Sequence, residues 1–186
     1  MGAGFALLAA VAGVAAYLIV GGTHDRKDAS VLPSRVLGTQ AVSIVNTGPV
    51  SQAGGSPAPG TLLASQSDLV FTVNGPAGAQ WTSDQMAGGT YIFIYIPDGL
   101  CLTSRASPHA WAVTLERCNL LASQRWLRQH PNVGANGLDY WQLRNLADDR
   151  CLADGKAVRN GQSAAQLEPC EASPGWRQQV ALLTAA

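Results

Sequence analysis

An internal repeat with a period near 50 residues constrains this chain more than any other feature. Each third of residues 38–186 opens with a strand-like run: Ala41-Val42-Ser43-Ile44-Val45, Tyr91-Ile92-Phe93-Ile94-Tyr95 and Tyr140-Trp141-Gln142-Leu143. Taking Val42, Ile92 and Trp141 as matching positions gives spacings of 50 and 49. Each run meets turn residues at Asn46-Thr47-Gly48, Pro97-Asp98-Gly99 and Ala147-Asp148-Asp149. A second apolar signal follows, centred on Leu63, Leu115 and Leu167, each 52 apart, and each unit closes on a tryptophan: Trp81, Trp126 and Trp176. Several features recurring in one order define three units, 38–88, 89–137 and 138–186.

Short strands between turns, repeated three times, predict a closed all-β structure with pseudo-threefold symmetry. The 20 Gly and 10 Pro agree, and no part of the body keeps a helical apolar period beyond about ten residues. The three leucines and three tryptophans are expected to meet in the core around one axis.

The 4 cysteines fall as equivalent pairs within two units, Cys101 with Cys118 and Cys151 with Cys170. Their approximate counterparts in the first unit, Ser51 and Gln66, are both non-cysteine. Joint loss is what a disulfide inside each unit produces, since one member alone would leave a free thiol. Zinc is the rival for four cysteines, but the C-x₂-C doublet is missing and the pairs belong to different units. Disulfides imply an oxidising compartment.

All 24 charged residues lie at or beyond Asp25. Residues 2–22 carry none, and a helix of that length at about 1.5 Å per residue spans the roughly 30 Å apolar core of a bilayer. A signal peptide is the alternative, but the basic n-region is missing and the apolar run exceeds an h-region. The reading is a transmembrane anchor at 1–22, or an uncleaved signal, followed by a polar linker at 23–37. The flank His24-Asp25-Arg26-Lys27-Asp28 gives the positive-inside rule little to act on. The cysteines therefore place the C-terminal body on the extracytoplasmic side. Small residues at Ala9/Gly13 and Ala12/Ala16 offer a face for packing on another membrane helix.

Gly99-Leu100-Cys101-Leu102, the Leu115-to-Cys118 strand end and Gln124-Arg125-Trp126 resemble the ricin-type β-trefoil, or R-type lectin, family. Gln166-Leu167-Glu168-Pro169-Cys170 is similar to its Gln-Leu-x-x-Cys segment, while the third unit ends in Pro174-Gly175-Trp176 instead of Gln-x-Trp. The first unit keeps Gln80-Trp81 without the spacer residue. The resemblance covers 38–186 and implies a β-trefoil. It also implies a sugar pocket with an acidic residue two positions after the first Cys, an aromatic platform two before the second, and an Asn before Gln-x-Trp. Those positions read Thr103, Glu116 and Ser123 in the second unit, and Ala153, Glu168 and Ser173 in the third, with Asp154 one place late. The usual galactose-type pocket is therefore expected to be absent.

Candidate ligand residues are Asp154, Gln166 and Glu168 in the third unit, together with Trp111 in a turn-rich stretch. Catalytic patterns are lacking. His24, His109 and His130 have no metal-ligand spacing, and Gly161-Gln162-Ser163-Ala164-Ala165 lacks the second Gly of a nucleophile elbow. Neither a cofactor nor a metal is expected, and the chain reads as a non-enzyme. Twelve cations balance twelve anions, which argues against a nucleic-acid partner. The sequence thus points to a single-pass, membrane-anchored β-trefoil that recognises a glycan or cell-envelope polysaccharide. The alternative is a non-catalytic accessory subunit of a larger membrane protein complex, with the trefoil used for protein contact. For that second role the weakly charged first third, with Arg35, Asp68 and Asp84 between residues 35 and 97, is the expected covered face.

Overall fold

The computed structural model describes residues 36–46, 60–65, 68–73, 75–76, 78–106, 111–133, 137–159 and 162–184. The anchor reading at 2–22, most of the linker, and both Ser51 and Gln66 lie outside them. No helix among the described residues is long and apolar enough to cross a membrane.

Among the described residues, twelve strands form three groups of four. The first holds β1 (Val36–Asn46), β2 (Thr61–Ser65), β3 (Asp68–Thr72) and β4 (Trp81–Met86). The second holds β5 (Thr90–Tyr95), β6 (Leu100–Ala106), β7 (Trp111–Glu116) and β8 (Trp126–Val133). The third holds β9 (Asp139–Asn145), β10 (Arg150–Arg159), β11 (Gln162–Pro169) and β12 (Val180–Thr184). The outer strands of each group pair in the order β1-β4-β5-β8-β9-β12 and back to β1, so six strands close a barrel. The inner strands form hairpins β2–β3, β6–β7 and β10–β11, and β11 joins the other two by pairing with β3 and β7. This is a β-trefoil. Closure removes the free edges of the barrel.

The core is layered by equivalent residues. Leu62, Leu102 and Leu152 are fully buried at one level, and Ile44, Phe93 and Leu143 at another. Turn hydrogen bonds fix the match between groups: Gly99 N donates to Tyr95 O and Asp149 N to Asn145 O. Val42, Tyr91 and Trp141 therefore share a level, and the pairing of Ile92 with Trp141 expected from the sequence is one residue out of step. A slip of one moves a side chain to the other face of the strand. Leu63 also changes place. Leu62 pairs with Phe71 as Leu102 pairs with Leu115 and Leu152 with Leu167, so Phe71 is the counterpart of those leucines. Leu63 and Leu115 pack against the core only partly buried, while Leu167 is buried.

Trp81 and Trp126 are fully buried, and their indole N–H groups donate to Leu62 O at 2.8 Å and Leu102 O at 3.1 Å. Trp176 is not their equivalent: it lies in the 3-10 turn Trp176–Gln178 and is 43% exposed. The closing position belongs to Val180, which is fully buried. Gln178-Gln179-Val180 is thus the counterpart of Gln124-Arg125-Trp126, because both glutamines sit in the 3-10 turn before the last strand of their group. Asn145 Nδ2 donates to Ser123 O and Asn46 Nδ2 to Arg177 O, which fixes the same register independently.

Both expected disulfides form, Cys101–Cys118 and Cys151–Cys170. In the first group Thr61 takes the place of Cys101 and packs on Gly75, where an added Cβ would lie 2.9 Å from Thr61 Cβ. Two disulfides suit an oxidising, extracytoplasmic environment.

Candidate ligand-binding site

In the second group the family's pocket positions are built into the fold. Thr103 is 3% exposed; its Oγ1 donates to Cys101 O and accepts from Gln124 Nε2 at 3.0 Å. Gln124 is itself fully buried. It accepts from Asn119 N and Leu120 N and donates also to Arg117 O. The hydroxyl's one proton is already donated and the side chain is buried, so it is not presented to a sugar. Glu116, paired with Cys101 across the hairpin, brings no aromatic face.

The third group brings three of the candidate residues together and closes them on themselves. With the corrected register, the residue before the closing Gln is Arg177, and Ser173 lies exposed in the preceding loop. The Arg177 guanidinium donates to Asp154 O at 2.8 Å and forms an ion pair with Glu168 at 2.5 Å. Gln166 Nε2 donates to the same Glu168 oxygen. Gly155 leaves room for this packing, since a Cβ there would come 2.8 Å from Gln166 Oε1. The Asp154 side chain is 1% exposed beneath this layer, beside the buried Ser163 hydroxyl. Burial pushes the Asp154 carboxyl above the ordinary aspartate value, while the neighbouring Ser163 hydroxyl and the Arg177 charge pull it partly back. Asp154 is a buried acid under an internal salt bridge, with no open approach.

Trp111 lies apart from this cluster, at the start of β7, and is 37% exposed. The Arg150 guanidinium stacks over its ring, 4.1 Å from the centroid. Arg150 comes from β10, so its side chain reaches across β11 to the neighbouring hairpin. The same Arg150 lines an open cleft of about 450 Å³, together with Gln129, His130, Arg144, Asp148 and Asp149. Arg144 and Asp149 are ion-paired at 2.9 Å, and Asp148 accepts from the Ser104 hydroxyl. The cleft therefore joins the second and third groups. It offers planar donors and acceptors, and one of them, Arg150, is stacked on the Trp111 indole.

Sequence reasoning singled out Trp111 but missed its cleft, because the wall residues come from four separate segments. Two of them, His130 and Asp149, have left-handed backbones with φ of 50° and 56°. The Asp149 turn repeats that of Gly99, φ 65°, where glycine adopts the shape freely. An acid at the glycine position of a repeated turn was the readable signal.

No protein-family model matches the chain, and no curated protein matches it. Solved structures do share its fold. The designed 3-fold symmetric protein ThreeFoil matches with a TM-score of 0.53 and 15% identity over 76% of this chain and 96% of its own. The Haemophilus ducreyi cytolethal distending toxin matches at 0.52 and 15%, over 83% and 88% of the two chains. A Polyporus squamosus lectin, solved with a human-type influenza-binding epitope, matches at 0.56 and 14%, over 81% of this chain and 50% of the lectin. At these identities the likeness establishes a β-trefoil fold of the kind lectins use.

Proposed function

We propose that this chain is a membrane-anchored, extracytoplasmic binding module that recognises a glycan or cell-envelope polysaccharide through Trp111 and the adjoining cleft. The observation that carries the reading is the partly exposed Trp111 indole stacked with Arg150, the residue that also lines a polar cleft. A sugar needs that pair of surfaces: an aromatic face for its apolar C–H side, and fixed donors and acceptors for its hydroxyls. The cleft volume lies within the roughly 300–1,000 Å³ common for small-ligand sites. A lectin among the solved structures of this fold supports the reading. The uncharged residues 2–22 support the anchor, and the disulfides support the outer side. We read the module as non-catalytic, because the carboxylates of the cleft are engaged with Arg144 and Ser104, where they accept hydrogen bonds instead of moving protons.

A glycan array probed with the full chain in mild detergent tests this. Saturable binding that Trp111→Ala weakens about tenfold, with the fold intact, is expected from losing one platform. A blank array refutes it.

The alternative, an accessory subunit of a membrane complex, draws support from the adjacent exposed Leu120 and Leu121, the first held at φ 61°. Stoichiometric co-purification of a membrane protein, abolished by Leu121→Ser, is the result this alternative requires.

A further inference from the structure

We infer that the cleft takes an internal stretch of a linear polysaccharide chain, laid across His130, in place of a single terminal sugar; this rests on the glycan reading above. The cleft beside Trp111 has a neighbour. A second open depression of about 390 Å³ is lined by His130, Asn132, Ser173, Pro174 and Gln179. His130 lines both, so the two are one groove divided by a single exposed ring.

The backbone is shaped for this. Pairing of β8 with β9 breaks register between Gln129 and Asn132, and His130 sits in that irregularity with φ 50°. A non-glycine residue held there is strained, and the result is an imidazole raised at the middle of the groove. The floor on either side is rigid. Gln129 Nε2 donates to Gln142 Oε1 at 2.5 Å, and Gln142 Nε2 to Gln178 Oε1 at 2.6 Å. Gln142 and Gln178 are fully buried or nearly so, which fixes the Gln129 amide from below. Next to Gln178, Gln179 donates to Pro174 O at 2.8 Å and so holds the far half. One corner of the trefoil therefore sets the side chains at both ends, and a ligand orders little on binding.

The lining chemistry selects the ligand class. Arg144 and Asp149 neutralise each other, so the groove has no field for a polyanion such as nucleic acid. Besides these two and the Arg150 and Asp148 side chains, which also balance in charge, the walls carry amides, an imidazole, a hydroxyl and prolines, suited to hydroxyl rows and pyranose C–H faces. A peptide docking by strand addition requires a regular unpaired edge. β8 beyond Leu127 pairs with β9 alone, but its ladder is broken between Gln129 and Asn132, His130 there is left-handed and Pro131 has no N–H, so the free side is a poor strand template. Among the described residues both depressions are open, which accommodates a chain that continues past His130 in both directions.

The test is the full chain in mild detergent on an array carrying each linear sugar as monosaccharide, short oligosaccharide and long chain. The expected result is binding that rises with chain length. Asn132→Ala, at a residue that lines only the second depression, should weaken long-chain binding about tenfold and leave short ligands unchanged. His130→Gly, which suits the left-handed backbone, and Trp111→Ala should each weaken both. Equal affinity for short and long ligands, or indifference of long-chain binding to Asn132→Ala, overturns the groove and leaves the glycan reading standing. A blank array refutes the glycan reading itself, and with it the groove. Displacement of a bound long chain by a mixed peptide digest reassigns the groove to peptide and overturns the proposal.

Discussion

The second and third groups end on the same hydrogen-bonded frame filled in different ways. At one corner Gln124 ties together Asn119, Leu120, Thr103 and Arg117, and Trp126 fills the space behind it. At the other Gln178 accepts from Glu171 N and Gln142 and donates to Pro169 O, with Val180 behind it. The first group reaches the same point with Ala79, Gln80 and Trp81 and has no disulfide. The comparison teaches that the indole and the amide do separate jobs: one fills volume, and the other satisfies backbone groups that the turn leaves bare.

The sharpest way to break this is to truncate the fillers. Trp126→Ala should cost about 4 kcal/mol and Val180→Ala about 2, measured by chemical denaturation; equal costs would show that the corners are filled alike. The amides should behave as a matched pair. Gln124→Leu and Gln178→Leu should each cost about 3 kcal/mol, since each strands buried donors or acceptors. Opening either disulfide by paired Cys→Ser replacement should also cost about 3 kcal/mol, and by the same amount in both groups, because the loops span 17 and 19 residues.

A finer difference lies two residues beyond the equivalent leucines, where the second group has Ser104 and the third has Asp154. A raised carboxyl pKa means that the folded state holds its proton more tightly than the unfolded one. Stability therefore falls as pH rises from the ordinary aspartate value through the folded value. Asp154→Asn should raise stability by about 1 kcal/mol at neutral pH, with the gain vanishing in acid below the ordinary aspartate value. A gain that persists unchanged in acid would place its origin elsewhere. The smallest effect is expected from Arg177→Ala. Its partly exposed pair with Glu168 should contribute about 0.5 kcal/mol, read as a shift in melting temperature of a degree or two.

The repeat, the all-β class and the cysteine pairing were legible because they rest on spacing, which survives substitution. Register was harder. Trp176 stands 50 residues after Trp126 and looked like its counterpart, yet the buried amide that defines the corner is Gln178. A tryptophan is conspicuous in a sequence and a glutamine is not. Leu63 fell at a regular 52-residue interval and still belongs to the other strand of its hairpin. The cluster of Asp154, Gln166 and Glu168 was found as a cluster. Its closure by Arg177 was hidden, because that residue's role follows from the corrected corner. The groove over His130 was least legible of all, since a bulge and a left-handed backbone leave no mark in composition.

One consequence of the barrel concerns the order in which the chain is made. β12 lies between β1 and β9, with Val42 opposite Thr184 and Val180 opposite Trp141. Until those last residues leave the ribosome or a translocation channel, β1 and β9 each keep a bare row of hydrogen-bonding groups. Eleven strands can be present and the molecule is still an open sheet. Closure of this barrel therefore waits for β12, and β1 and β9 stay unjoined until it arrives.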